Sequence, residues 1–104
     1  GDSSMVKGIQ EINRIIEKFK KELEKYNIHP ERIILYGSYA KGNAREDSDI
    51  DLVVISSDFE NMNLRERLEI LGLAAGNVLE PIEALGYTPQ EVLEKKETFL
   101  EAII

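Results

Sequence analysis

The sequence predicts a small α/β (α+β) domain: an antiparallel or mixed sheet flanked by helices. Three observations carry this. Apolar residues recur at three- and four-residue spacing near the N-terminus, the mark of an amphipathic helix. Two short apolar runs follow, with too little chain between them for a crossover helix. Glycine, proline and asparagine then punctuate the rest into further short elements.

Val6, Ile9, Ile12, Ile16, Phe19, Leu23 and Tyr26 set the first period and predict a helix from about Val6 to Tyr26. Pro30 disfavours helix at His29, so the helix stops near Asn27 and no later than Ile28. Arg32 to Tyr36 is rich in branched and aromatic residues and reads as a buried strand. Gly37-Ser38 follows at once, and Tyr39 to Gly42 has room for one helical turn. Asn43 to Ser48 reads as a loop. Asp49 to Ile55 is a second strand, apolar on both faces in its later half and therefore central. The first two strands are expected to be antiparallel.

Ser56 to Asn63 reads as a loop. Asn63 can cap a helix with Leu64, Leu68, Leu71 and Ala75 on one face, weakened by Gly72 and Gly76. Leu79 to Leu85 reads as a third strand. Pro81 cannot donate to a ladder, so this strand begins late or lies at an edge, and Gly86 ends it. Thr88-Pro-Gln-Glu91 has the pattern of a capping box, opening a helix with Val92, Leu93 and Phe99. Ala102-Ile-Ile104 is an apolar end. Gly1 to Ser4 before Met5 has the character of a cloning remnant, which leaves residues 5–104 as one domain.

Composition narrows the chemistry. The chain of 104 residues is 42% hydrophobic and 32% charged, suited to a single folded core. It has no cysteine and one histidine, so thiol nucleophiles, disulfides and multi-histidine zinc sites are excluded. A metal held by this chain takes mainly oxygen ligands, which favours magnesium, manganese or calcium. The net charge of −7 argues against a direct grip on duplex nucleic acid. No apolar run approaches the roughly 18 residues of a membrane span, and no signal-peptide pattern is present. The expectation is a cytoplasmic protein with no membrane role, and oligomerisation is left open.

Two clusters can carry chemistry. Asp49 and Asp51 are two apart on a strand and project to one side. Adjacent carboxylates repel unless a cation lies between them. Magnesium suits such a pair, because it keeps waters and takes further ligands from substrate phosphates. An isolated D-x-D is more often a solvated strand end. Gly37-Ser38, directly after a strand, changes that balance. Glycine lets a phosphate approach the backbone, and the amides there with the Ser38 hydroxyl can hold phosphate oxygens. Lys41 and Arg45, between the two clusters, can serve as charge clamps on a triphosphate, the plainer alternative being solvated loop side chains. Tyr36 and Tyr39 flank the cradle and read as packing residues; His29 reads as a helix-end residue.

Gly37-Ser38, ten residues, then Asp49-x-Asp51 resembles the G-S-x10-D-x-D signature of the minimal nucleotidyltransferase (MNT) family, within the DNA polymerase β-like superfamily. Leu35 to Gly42 and Asp47 to Leu52 also resemble that family. Four fixed positions recur by chance in roughly one chain of this length in a thousand. The resemblance implies a polymerase β-like fold and two Mg2+ ions at Asp49, Asp51 and a third carboxylate. The matching position is Glu83. The family usually has aspartate there, so Glu83 either keeps the role or marks a weak copy. The implied reaction moves a nucleoside monophosphate, AMP from ATP, to a hydroxyl. The implied acceptor is a small helical protein of the HEPN type, with this chain as an MntA-type antitoxin. Three rival readings are an inactive nucleotide- or partner-binding module, transfer to a small molecule, and a purely structural α/β protein.

Overall fold

The computed structural model describes residues 8–45 and 47–94. Helix α1 spans Ile9–Lys25, with Gly8 as its N-cap. It starts later than the periodicity suggests; Val6 lies outside the described residues. Ile12, Ile15, Phe19 and Leu23 face inward, while Ile9 is 67% exposed and Ile16 only partly covered. The helix closes in a Schellman arrangement. Asn27 takes the left-handed conformation (φ 65°), its N–H bonds the Glu24 carbonyl at 3.0 Å, and the Ile28 N–H bonds the Leu23 carbonyl at 3.0 Å. Buried Ile28 and Leu23 complete it as the hydrophobic pair typical of this cap.

The sheet has three strands in the order β1 (Arg32–Tyr36), β2 (Ile50–Ile55) and β3 (Ile82–Tyr87). β1 runs antiparallel to β2, and β3 runs parallel to it, so the sheet is mixed. The short link between β1 and β2, much of it taken by a helical turn, favours the first relation. Helix α3 (Leu64–Val78) provides the crossover that the second requires. β2 is central, as its apolar run implies. β1 is an edge strand whose residues are only partly covered, not the buried strand its composition suggests. β3 is the other edge. It starts one residue after Pro81, which fits a residue that cannot donate to the ladder. Leu79 is not part of it. It caps α3 in the left-handed conformation (φ 65°).

Gly86 does not end β3 but sits inside it. A Cβ there would lie 2.9 Å from the Phe59 ring and 3.3 Å from Leu71 Cδ1, so the strand needs glycine to admit Phe59. Phe59 is fully buried at the end of a 3-10 turn, Ser57–Phe59. The segment expected as a plain loop is therefore pinned to the core. Its start is tied too: Ser56 Oγ donates to the His29 carbonyl (3.0 Å), and the His29 N–H donates to Asp58 Oδ2 (2.7 Å).

In α3, Asn63 and Glu66 form a reciprocal capping box, with both bonds 2.9 Å. The buried face carries Arg67, Leu71, Ala74 and Ala75. It is rotated from the expected one, leaving Leu64 and Leu68 65% and 52% exposed. Arg67 lies on the buried face. Its guanidinium, 4% exposed, donates to the carbonyls of Met62, Gly86 and Phe59 and makes a paired contact with Glu91 at 2.7 and 3.1 Å. A buried charge is tolerable when its donors are met in this way. Glu91 belongs to α4 (Pro89–Glu94), opened by reciprocal bonds with Thr88. Thr98, Phe99 and Ala102 to Ile104 lie outside the described residues.

Side chains alternate along the strands. Ile50, Leu52 and Val54 with Ile33, Leu35, Ile82 and Ala84 pack under α1 and α3. Asp51, Val53 and Ile55 point to the opposite face. Their register partners there are Tyr36, Ile34, Arg32 on β1 and Glu83, Leu85, Tyr87 on β3. No described helix is long and apolar enough to cross a membrane.

Candidate active site

The two motifs meet at one end of the sheet. β1 ends at Tyr36, and Gly37 turns the chain with φ 74° into a five-residue helix, α2 (Gly37–Lys41), closed by Gly42 at φ 79°. Positive φ suits glycine because it has no Cβ to clash. At Gly37 there is a second reason. A Cβ would overlap Asp51 Oδ2 and lie 3.0 Å from Asp51 Cγ. Gly37 is thus the floor on which the Asp51 carboxylate rests. Cradle and carboxylate are in contact, not merely on neighbouring strands.

Asp51 is the second residue of β2, half-buried, and opposes Tyr36 on one side and Glu83 on the other. Opposed residues share a face, so Asp51 and Glu83 project together. Asp49 precedes the strand by one residue and is exposed; the ladder begins where the Ile50 N–H bonds the Pro81 carbonyl at 2.7 Å. Burial, then the negative charges of Asp49 and Glu83, push the Asp51 carboxyl above its ordinary range. Asp49 and Glu83 are therefore close enough to act on Asp51. Glu80 lies outside the strand, before its first residue.

Ser38 is partly buried in the first turn of α2, where N–H groups lack intrahelical partners. Lys41 is the last residue of α2 rather than a loop residue; Arg45 is in the loop, where its N–H bonds Ser48 Oγ at 2.8 Å. Both side chains are exposed, and neither pairs with a carboxylate among the described residues. The structure brings Gly37, Asp51 and Glu83 together, with Asp49 and Ser38 adjoining, and leaves Lys41 and Arg45 at solvent.

Tyr36 and Tyr39, treated alike in the sequence, separate. Tyr39 packs against the core, with a buried hydroxyl that has no hydrogen-bond partner. Tyr36 stands on the carboxylate face. Burial, then Asp51, Glu83 and Tyr87, push its phenol above the ordinary value. The alternation of β1 opposite β2 could have shown this once the register was known.

Among the described residues, no three acidic or histidine side chains close around one ion. The donor set is instead open: hard carboxylate oxygens beside a backbone turn that a phosphate can approach. That fits magnesium, which is commonly held by one or two carboxylates, with waters and substrate phosphates filling the remaining positions.

The chain resembles known proteins over most of its length. The model of the nucleotidyltransferase domain family matches residues 16–102. Protein adenylyltransferase MntA of Thermococcus cleftensis is 38% identical over 78 residues, covering 69% of this chain and 77% of that protein. MJ1215 of Methanocaldococcus jannaschii, named provisionally as a protein adenylyltransferase, is 47% identical over 49 residues, covering 47% of this chain and 56% of that one. The chain thus spans between about half and three quarters of the length of these relatives. A Sulfolobus solfataricus crystal structure, described provisionally as a nucleotidyltransferase, superposes with a TM-score of 0.54 at 21% identity, covering 86% and 84% of the two chains. BolA1 of Arabidopsis thaliana also gives 0.54, at 24% identity, covering 76% of this chain and 92% of that one. Backbone likeness at this level shows only the α/β arrangement, and the sequence match decides the family. With that match running through both motifs and all three strands, the chain belongs to the nucleotidyltransferase domain family.

Proposed function

We propose that this protein is a magnesium-dependent nucleotidyltransferase that moves AMP from ATP to a hydroxyl of a partner protein. The observation that supports this most is the contact between Gly37 and Asp51, with Glu83 in register beside it. It joins a phosphate-approachable turn to a carboxylate row, which is what nucleotidyl transfer requires.

In this reading the Gly37-Ser38 amides and the Ser38 hydroxyl bind and orient the triphosphate. Asp49, Asp51 and Glu83 hold two magnesium ions. When bound, these supply charge neutralisation at the reacting and departing phosphate oxygens. The acceptor oxygen forms a bond to the α-phosphorus, the bond to the pyrophosphate oxygen breaks, and pyrophosphate leaves. Glu83 takes the acceptor proton, directly or through water. Lys41 and Arg45, exposed in the structure, swing toward the triphosphate as counter-charges. The names of the relatives support a protein acceptor. A small helical protein of the HEPN type, inactivated by the modification, is the partner we propose, with this chain as antitoxin. Incubation with that partner, Mg2+ and ATP labelled at the α-phosphate tests the proposal. Label should pass to the partner, and should not with Asp49→Asn/Asp51→Asn. Neutralisation of the partner without label transfer contradicts it.

A further inference from the structure

Tyr36 is the last residue of β1, and its backbone is extended (φ −138°, ψ −172°), so strand alternation holds through it. It opposes Asp51, which in turn opposes Glu83. Register partners share a face, and across the antiparallel β1–β2 pair their Cβ atoms lie about 4.5–5.5 Å apart. Phenol and two carboxylates therefore stand in one row across the sheet. Tyr36 leads directly into Gly37-Ser38, and its strand lies on the far side of β2 from the strand of Glu83. Tyr36 is only partly covered. A phenol is neutral near pH 7 and can donate to a phosphate or sugar oxygen without adding negative charge.

We infer that Tyr36 is a nucleotide-contacting residue, its O–H donating a hydrogen bond to the nucleotide held at Gly37-Ser38. This rests on the reading of the site as a nucleotidyltransferase centre. The place of Tyr36 directly before Gly37-Ser38 in the chain assigns it to the nucleotide. Tyr39, on the other side of the same turn, has no such role.

The test is calorimetric binding of the α,β-methylene analogue of ATP in Mg2+, comparing wild type, Tyr36→Phe, Tyr39→Phe and Asp49→Asn/Asp51→Asn. Tyr36→Phe keeps the ring, so its melting temperature should match wild type. Its affinity should fall by about tenfold, the scale of one lost hydrogen bond to a bound ligand. Tyr39→Phe should bind like wild type. If wild type binds, the double variant does not, and Tyr36→Phe binds like wild type, the inference fails while the reading of the site stands. If wild type does not bind, the reading fails and takes the inference with it.

Discussion

Gly37→Ala and Gly42→Ala form a matched pair that isolates the contact at the centre of the site. Both glycines have nearly the same backbone conformation, φ 74° and 79°. Placing a Cβ in that region costs about 1–2 kcal/mol in either case. Their surroundings differ. A Cβ on Gly42 meets nothing within 4 Å, whereas one on Gly37 overlaps the Asp51 carboxylate and lies 3.2 Å from Asp51 Cβ. In a domain of this size, a loss of 1–2 kcal/mol lowers Tm by roughly 4–16 °C. Both variants should show a loss of that order by thermal circular dichroism. Only Gly37→Ala must also displace Asp51, and a displacement near 1 Å at a reacting centre can cost about a hundredfold in rate. It should therefore lose magnesium-dependent ATP binding and nucleotidyl transfer, while Gly42→Ala keeps binding near the wild-type value. Equal binding by the two variants would refute the claim that Gly37 seats Asp51.

The remaining predictions concern the scaffold. Arg67→Met should destabilise by about 3–5 kcal/mol in urea unfolding, since it leaves Glu91 and three carbonyls without their shared donor. Its partner gives a pH signature. The hydrogen bond from Arg67, with those at Thr88, holds the Glu91 carboxyl below its ordinary value of 4.5. A depressed folded pKa means that the stabilisation is complete above the ordinary value and is lost as pH falls through the folded one. Glu91→Gln should therefore flatten the acid limb of the stability profile; an unchanged limb would place that dependence elsewhere. Gly86→Ala should cost about 1–3 kcal/mol by crowding the Phe59 ring. Gly72→Ala and Gly76→Ala, where a Cβ meets nothing within 4 Å, should each raise stability by about 0.5–1 kcal/mol.

Much of this architecture is legible in the residues. Branched and aromatic runs mark β1 and β2, and their short connection favours an antiparallel pair. Pro81 delays β3, while Asn63-Glu66 and Thr88-Glu91 announce two helix starts through caps that need only local chain. The closeness of the two motifs is legible for a related reason: G-S ends one strand and D-x-D opens its neighbour, each within a few residues. What escaped depends on partners distant in sequence. The buried side of α3 is not legible locally: Arg67 lies on it because its donors meet the carbonyls of Phe59 and Gly86, while Leu64 and Leu68, expected inward, are exposed. Gly86 reads as a strand breaker until Phe59 occupies the space where its side chain would be. Tyr36 and Tyr39 are indistinguishable until the register with β2 sets one opposite Asp51 and the turn carries the other to the core.

Calorimetric titration of wild type with ATP, with and without Mg2+, beside Asp49→Asn/Asp51→Asn tests the central claim most directly. The account predicts saturable binding that requires Mg2+ and is absent from the double variant. Binding that survives in the double variant, or no binding by wild type with Mg2+ present, would contradict a nucleotide–metal site at Gly37-Ser38, Asp49 and Asp51.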